Sequence, residues 1–245
     1  MSPSVHEIAA GIYRISTFLP DVGPGGFTMN QYLVDADEPM LFHLGPRRMF
    51  PAVAAAVARI VPVERLRWLS FGHVESDECG SMNAWLDAAP DATVAFNELG
   101  CQVSLDDLAD RAPRRTSAED VHDLGGHRMR TVQTPHVPHG WEAQVLFDET
   151  TSTLFCGDLF TRLGDAPAIV HDDDPIGPAL VAEDVFGATA VTAATGPTIR
   201  RLADLQPRTL ALMHGPAFAG DCVAALHGLA DAYEARFTAG HAVRA

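Results

Sequence analysis

The sequence predicts an α/β fold, an αββα sandwich in which two mixed sheets pack face to face with helices outside. Three observations carry this. Apolar, β-branched runs of strand length alternate with alanine-rich segments of helix length. Each half of the chain supplies several strands and several helices, which two sheets sharing one interior would accommodate. No linker, repeat or low-complexity tract divides the 245 residues, so a single domain over residues 1–245 is expected, large enough to bury a core without disulfides.

Each element follows from local pattern. Residues 7–17 read as a strand, followed by a Gly/Pro-rich turn over 21–26. Residues 31–35 and 40–44 read as a hairpin that stops at Gly45-Pro46, and the alanine-rich stretch 49–60 reads as a helix. A short apolar strand over 65–71 ends at Gly72, a helix over 79–88 ends at Ala89-Pro90, and 93–96 is again a strand. Residues 97–111 are helical with loops up to Ala112-Pro113. The second half gives strands at 128–133, 143–148 and 152–155, with a turn over 149–151. Helices follow at 178–194, 197–205 and 219–236, with a strand at 209–213 between the last two. The acidic run Asp172–Asp174 reads as a solvated loop.

Composition excludes several function classes. There are 32 acidic against 17 basic side chains, a formal charge of −15, and every basic residue is arginine. Without lysine there is no Schiff-base or P-loop chemistry, and an acidic surface disfavours nucleic acid and anionic membrane as partners. The four cysteines, Cys79, Cys101, Cys156 and Cys222, form no C-x-x-C and are expected as reduced thiols. The first 17 residues lack a basic start followed by an apolar stretch, and no apolar run reaches the roughly 18 residues of a spanning helix. A cytoplasmic location is expected.

The informative string is Phe71-Gly72-His73-Val74-Glu75-Ser76-Asp77-Glu78-Cys79-Gly80, at the end of an apolar strand. In extended backbone His73, Glu75 and Asp77 would point to one side. One imidazole among several carboxylates repels itself unless water screens it or a cation sits there. Three further loops end strands in the same way: Thr134-Pro135-His136-Val137-Pro138-His139-Gly140, Phe155-Cys156-Gly157-Asp158 and Leu212-Met213-His214-Gly215. The carboxyl ends of strands are where α/β folds commonly build sites.

The order His-x-Glu-x-Asp, His-x-Pro, Asp after a strand and His-Gly resembles the metallo-β-lactamase fold. Within that fold it resembles the diiron domain of flavodiiron proteins and their stand-alone oxygen-binding relatives, over nearly the whole chain. Asn30-Gln31-Tyr32-Leu33-Val34 is similar to the early strand of that domain. The resemblance implies that His73, Glu75 and His136 hold one metal, Asp77 and His214 a second, and that Asp158 bridges them. Glu75 stands where hydrolytic members usually carry histidine, and a hard carboxylate oxygen there leans towards two iron ions, with manganese or zinc as alternatives. Glu78 stands where both branches usually carry histidine, so it either adds a carboxylate to the second metal or leaves a position open. His43 occupies the place of a supporting aspartate, as a site support or a packed core residue. His139 either orients a ligand or lines the pocket, or lies exposed in its loop, and Trp141 sits near the mouth or in the core. His6, His122, His127, His227 and His241 have no such context and read as surface or packing residues.

The function so implied is a non-haem diiron protein that binds or reduces dioxygen or nitric oxide. The chain shows neither a flavodoxin-like extension nor a rubredoxin-type cysteine set, so no bound flavin is expected and electrons would come from an external flavin or iron–sulfur protein. A homodimer is compatible with this reading. The alternative is a dinuclear hydrolase of a thioester, lactone or phosphodiester, in which the metals make hydroxide from a bridging water. A third is a non-catalytic relative disabled by Glu78.

Overall fold

A computed structural model describes residues 2–118 and 120–242; the side chain of His241 lies outside the described residues. The expected strand over 7–17 is a hairpin, β1 (Ser4–Ala9) and β2 (Ile12–Leu19). Gly11 at φ +69° reverses the chain, a conformation that costs glycine little. Antiparallel pairing continues through β3 (Phe27–Val34) and β4 (Met40–Phe42). Then β5 (Trp68–Ser70), β6 (Thr93–Asn97) and β7 (Arg114–Thr116) add in parallel, so the first sheet runs in chain order. Parallel neighbours need crossovers, supplied by α1 (Phe50–Val57), by α2 (Ser76–Cys79) with α3 (Met82–Ala88), and by α4 (Glu98–Gly100) and α5 (Asp106–Leu108) around a π-helical turn.

The second sheet contains β8 (Val121–Asp123), β9 (Arg128–Gln133), β10 (Gln144–Asp148), β11 (Thr153–Phe155), β12 (Ile169–Val170), β13 (Thr209–Ala211) and β14 (Ala217–Phe218). Their order is β12-β14-β13-β11-β10-β9-β8. The helices α6 (Ile176–Phe186), α7 (Thr195–Ala203) and α8 (Cys222–Ala242) cover its outer face. The expected helix over 178–194 stops at Phe186 because Gly187 takes the left-handed conformation, φ +58°, that ends helices. Strands β7, β8, β12 and β14 span two or three residues each, too short for an alternating pattern to show.

Three apolar layers hold the sandwich. Tyr32, Phe42, Met129, Leu146, Phe155 and Ala211 meet between the sheets. Leu41, Leu69, Phe71 and Trp85 pack the first sheet on its helices, and Leu154, Leu210, Leu226 and Leu229 pack the second. Asp172–Asp174 is exposed as expected, and the Asp174 carboxylate accepts the N–H groups of Ile176 and Gly177, capping α6. All four cysteines are free. Among the described residues no helix is long and apolar enough to cross a membrane.

Candidate metal centre

Backbone geometry sorts the His73–Glu78 string. Glu75 is extended, at φ −136° and ψ 157°, and α2 begins at the next residue. His73 and Glu75 therefore face the same way, with His73 Nε2 2.9 Å from Glu75 Oε2. The helical turn sends Asp77 towards His214 and turns Glu78 into the protein, where it is fully buried. The expected extended run to Asp77 thus ends two residues early, at Glu75, because a helix starts at Ser76.

Glu78 belongs beneath the site, not to the second metal position. Its Oε2 accepts the backbone N–H of Gly72 at 2.5 Å and of His73 at 2.8 Å. Its Oε1 lies 3.3 Å from His73 Nδ1 and 3.4 Å from His43 Nε2. Only glycine fits at position 72, since a Cβ there would lie 2.9 Å from Glu78 Oε2. Burial pushes the Glu78 carboxyl up, but the imidazoles of His73 and His43 outweigh it and hold the group below its usual range. His43 is fully buried, its ring nitrogens make no hydrogen bond, and burial lowers its pKa. It supports Glu78 and reaches no cluster of donors.

The His136 loop corrects an expectation. His136 is exposed at φ +64°, its N–H bound to the Gly140 carbonyl. The turn carries His139 inwards instead, with Nε2 3.0 Å from Glu75 Oε2 and 3.6 Å from Asp158 Oδ2, and its ring edge-on to His73. The structure thus puts His139 where His136 was expected. One signal could have told them apart: His73, His139, Asp158 and His214 each adjoin a glycine in sequence, whereas His136 does not. Trp141 is 54% exposed and lines neither core nor cavity.

Asp158 divides its oxygens between two groups. Its Oδ2 faces His73 Nε2 at 3.7 Å and His139, while its Oδ1 lies 3.2 Å from His214 Nε2. Asp77 Oδ2 completes the second group, 3.3 Å from His214 Nε2. His73, Glu75, His139 and Asp158 each offer a ligand atom within 4.8 Å of the others. Metal bonds of about 2.1 Å at tetrahedral angles put neighbouring donors roughly 3.4 Å apart, and Glu75 Oε2 lies 2.9 and 3.0 Å from His73 and His139, Asp158 Oδ2 3.7 and 3.6 Å from the same rings. Asp158 Oδ1 is buried and accepts no hydrogen bond, a cost that a bound cation removes. His73, Glu75, His139 and Asp158 thus fit a metal site, and Asp77, His214 and the other Asp158 oxygen lie together beside it.

Two of the three imidazoles have a partner on the far nitrogen, as metal-binding histidines usually do: His73 Nδ1 faces Glu78 Oε1 at 3.3 Å, whereas His139 Nδ1 is buried without one. His214 Nδ1 is 2.8 Å from the Thr28 carbonyl, and its ring stacks on Phe27. The chain on both sides of His214 is clamped by β2 and β3: Asn30 Nδ2 donates to the Leu212 and Gly215 carbonyls, Tyr32 to that of Leu212, and Arg14 to that of Gly215. Glu142 accepts the Val74 N–H at 3.0 Å and steadies the loop between His73 and Glu75. These supports escaped sequence reasoning, because their partners are backbone atoms of distant loops.

The protonation states show how strongly the cluster attracts positive charge. Burial alone would lower His73, yet Glu78, Glu75 and Asp158 raise it to about 12. His214, likewise opposed by burial, rises to about 10 beside Asp158 and Asp77. Hydrogen bonds from His139 and His73 hold Glu75 down at about 2. Burial pushes Asp158 up, but His214 and the other imidazoles pull it well below the carboxylate range.

A sandwich of two mixed sheets with histidines and carboxylates gathered at strand ends is a metallo-β-lactamase-type fold. The chain belongs to the ODP family beta lactamase, whose model matches residues 27–211. It is similar to diflavin flavoprotein A 1 of Synechocystis sp., 27% identical over 138 residues, 55% of this chain and 24% of that protein. The chain thus spans about a quarter of that relative's length. Among solved structures, it matches the metal-soaked flavodiiron core from Synechocystis sp. at a TM-score of 0.77, with 20% identity over 95% of this chain and 60% of that one. It matches the rubredoxin oxygen:oxidoreductase of Desulfovibrio gigas at 0.81, with 16% identity over 94% and 62%. In fold, the domain matches the core of these flavodiiron structures.

Proposed function

We propose that this domain is a non-haem diiron centre that binds and reduces dioxygen or nitric oxide with electrons from an external flavin or iron–sulfur donor. The observation that carries the reading is Asp158, with one oxygen towards His73, His139 and Glu75 and the other towards His214 and Asp77. Glu75 and His139 share the first group, a donor set richer in oxygen than a three-histidine zinc site. Two ferrous ions held by these residues would supply the electrons for reducing a diatomic molecule. The chain's own part is to bind and to orient. Glu78 and Thr28 hold the ligand imidazoles, and Phe27, Phe160 and Pro138 shield the approach from water. The same carboxylate content argues against the hydrolytic alternative.

Anaerobic iron loading tests this. Expected are two irons per chain, a near-ultraviolet or visible band on exposure to air, and oxygen consumption with a reduced flavin donor. Iron-loaded protein that stays spectrally silent and consumes no oxygen, while turning over esters with zinc or manganese, would overturn it in favour of hydrolysis.

A further inference from the structure

The carboxylate–imidazole cluster is only the floor of a cavity of about 310 Å³. A diatomic molecule fills about as much space as one water, on the order of 30 Å³. The cavity has roughly ten times that room and matches the lower end of small-molecule pockets, about 300 Å³.

Its walls are of two kinds. Phe27, Phe160, Ala179, Ala182 and Phe186 supply an apolar lining, and the alanines keep α6 from filling it. Thr189, Glu183 and Tyr233 supply a polar one, in which Thr189 Oγ1 donates to Glu183 Oε2 at 2.6 Å and lies 2.9 Å from the Tyr233 hydroxyl. The Glu183 Oε1 accepts only the Thr189 N–H, at 3.2 Å, which leaves it acceptor capacity. No arginine is among the lining residues, which include the carboxylates Glu75, Asp77, Asp158 and Glu183. Two divalent cations on the floor would balance these four charges and leave no surplus for an organic anion.

We infer that this cavity binds a neutral organic molecule of roughly ten non-hydrogen atoms, its apolar body against α6, Phe27 and Phe160 and a hydroxyl head donating to Glu183. The inference deepens the oxygen-chemistry reading and rests on it for the identity of the floor. The bound molecule would lie directly over the centre.

The test uses the full chain, both treated with chelator and loaded with iron under anaerobic conditions. The probes are 2-phenylethanol and phenylacetate, followed by saturation-transfer nuclear magnetic resonance. Expected is saturable binding of the alcohol to both forms. Phenylacetate should bind the chelator-treated form about tenfold more weakly, the scale of one charged group left without a partner. Ala188→Trp at the exposed rim should abolish alcohol binding with an unchanged thermal midpoint, and Ala182→Leu should weaken it. Glu183→Gln should narrow the preference for alcohol over carboxylate. No saturable alcohol binding, binding indifferent to both alanine variants, or a preference for phenylacetate in the chelator-treated form would overturn the inference. Alcohol binding in a protein that takes up iron yet ignores oxygen would leave this inference standing and overturn the oxygen reading.

Discussion

Replacing Glu78 by glutamine tests whether the buried carboxylate beneath the site governs it. The side chain is fully buried and its charge is shared among the N–H groups of Gly72 and His73 and the rings of His73 and His43. Glutamine retains the oxygen for the two N–H groups, but each bond changes from charge-assisted to neutral, a loss of about 1 kcal/mol apiece. Its amide would also present hydrogens where Oε1 met two imidazoles, so both rings must turn acceptor or move. The sum is about 2–4 kcal/mol, within the cost of breaking a buried ion pair. For a chain of this size each kcal/mol shifts the thermal midpoint by about 2–4 °C, so a drop of roughly 4–16 °C is expected in thermal unfolding of chelator-treated protein. Affinity at the His73 group should fall about 10- to 100-fold in a chelator-competition titration, the usual effect of freeing a ligand histidine's far nitrogen. A variant within 1 °C of the parent by that scale, with unchanged metal affinity, would refute the reasoning.

Three further outcomes are expected. His139→Ala should cost the first group its metal while His136→Ala leaves content unchanged, measured by elemental analysis; equal losses would restore the sequence-based assignment. Without metal, His73 and His214 remain protonated at neutral pH, with pKa values of about 12 and about 10. Metal binding should then release about two protons per chain near pH 7, seen as a buffer-dependent heat of binding, with affinity rising as pH increases. The stability these raised values confer is complete below the ordinary imidazole pKa of about 6.5 and is lost as pH climbs through the folded values. That conferred by the lowered Glu75 and Asp158 is complete above the ordinary carboxylate range of about 4 and lost as pH falls through their folded values. The chelator-treated protein should therefore be most stable between about pH 4.5 and 6.5, checked by thermal midpoints across pH. Gly72→Ala should destabilise by about 1–3 kcal/mol in denaturant unfolding, since the new methyl meets Glu78 and the Gln144 carbonyl.

Strand-end placement made most of the centre legible, because a histidine or acid after an apolar run is visible in one dimension. His139 over His136 follows from the path of a turn whose first residue is left-handed, of which the glycine beside His139 is the local trace. Nor could the role of Glu78 be read locally: the same three residues after Glu75 point one carboxylate out and another in only because a helix begins at Ser76. His43 and Glu78 both depart from the family's usual residues, and position alone did not reveal that they meet each other. The long interior strands were apparent from their composition. The two-residue strands β12 and β14 arise from their neighbours, which no local signal encodes.

The clamp that holds His214 joins residues 186 apart in the chain. Synthesis at about 5–20 residues per second leaves Thr28 waiting roughly 10–40 s for its partner to emerge. Throughout that interval the early strands have their own hairpins to form, but half of the centre has no geometry. An ion arriving before residue 139 has emerged would find only the His73 string, and one arriving before residue 214 only the first group, so correct loading of the second position belongs after both sheets have closed. Maturation of the centre is thus tied to completion of the fold, and a chain stalled before Met213 would expose acidic donors without the imidazole that gives the second position its shape.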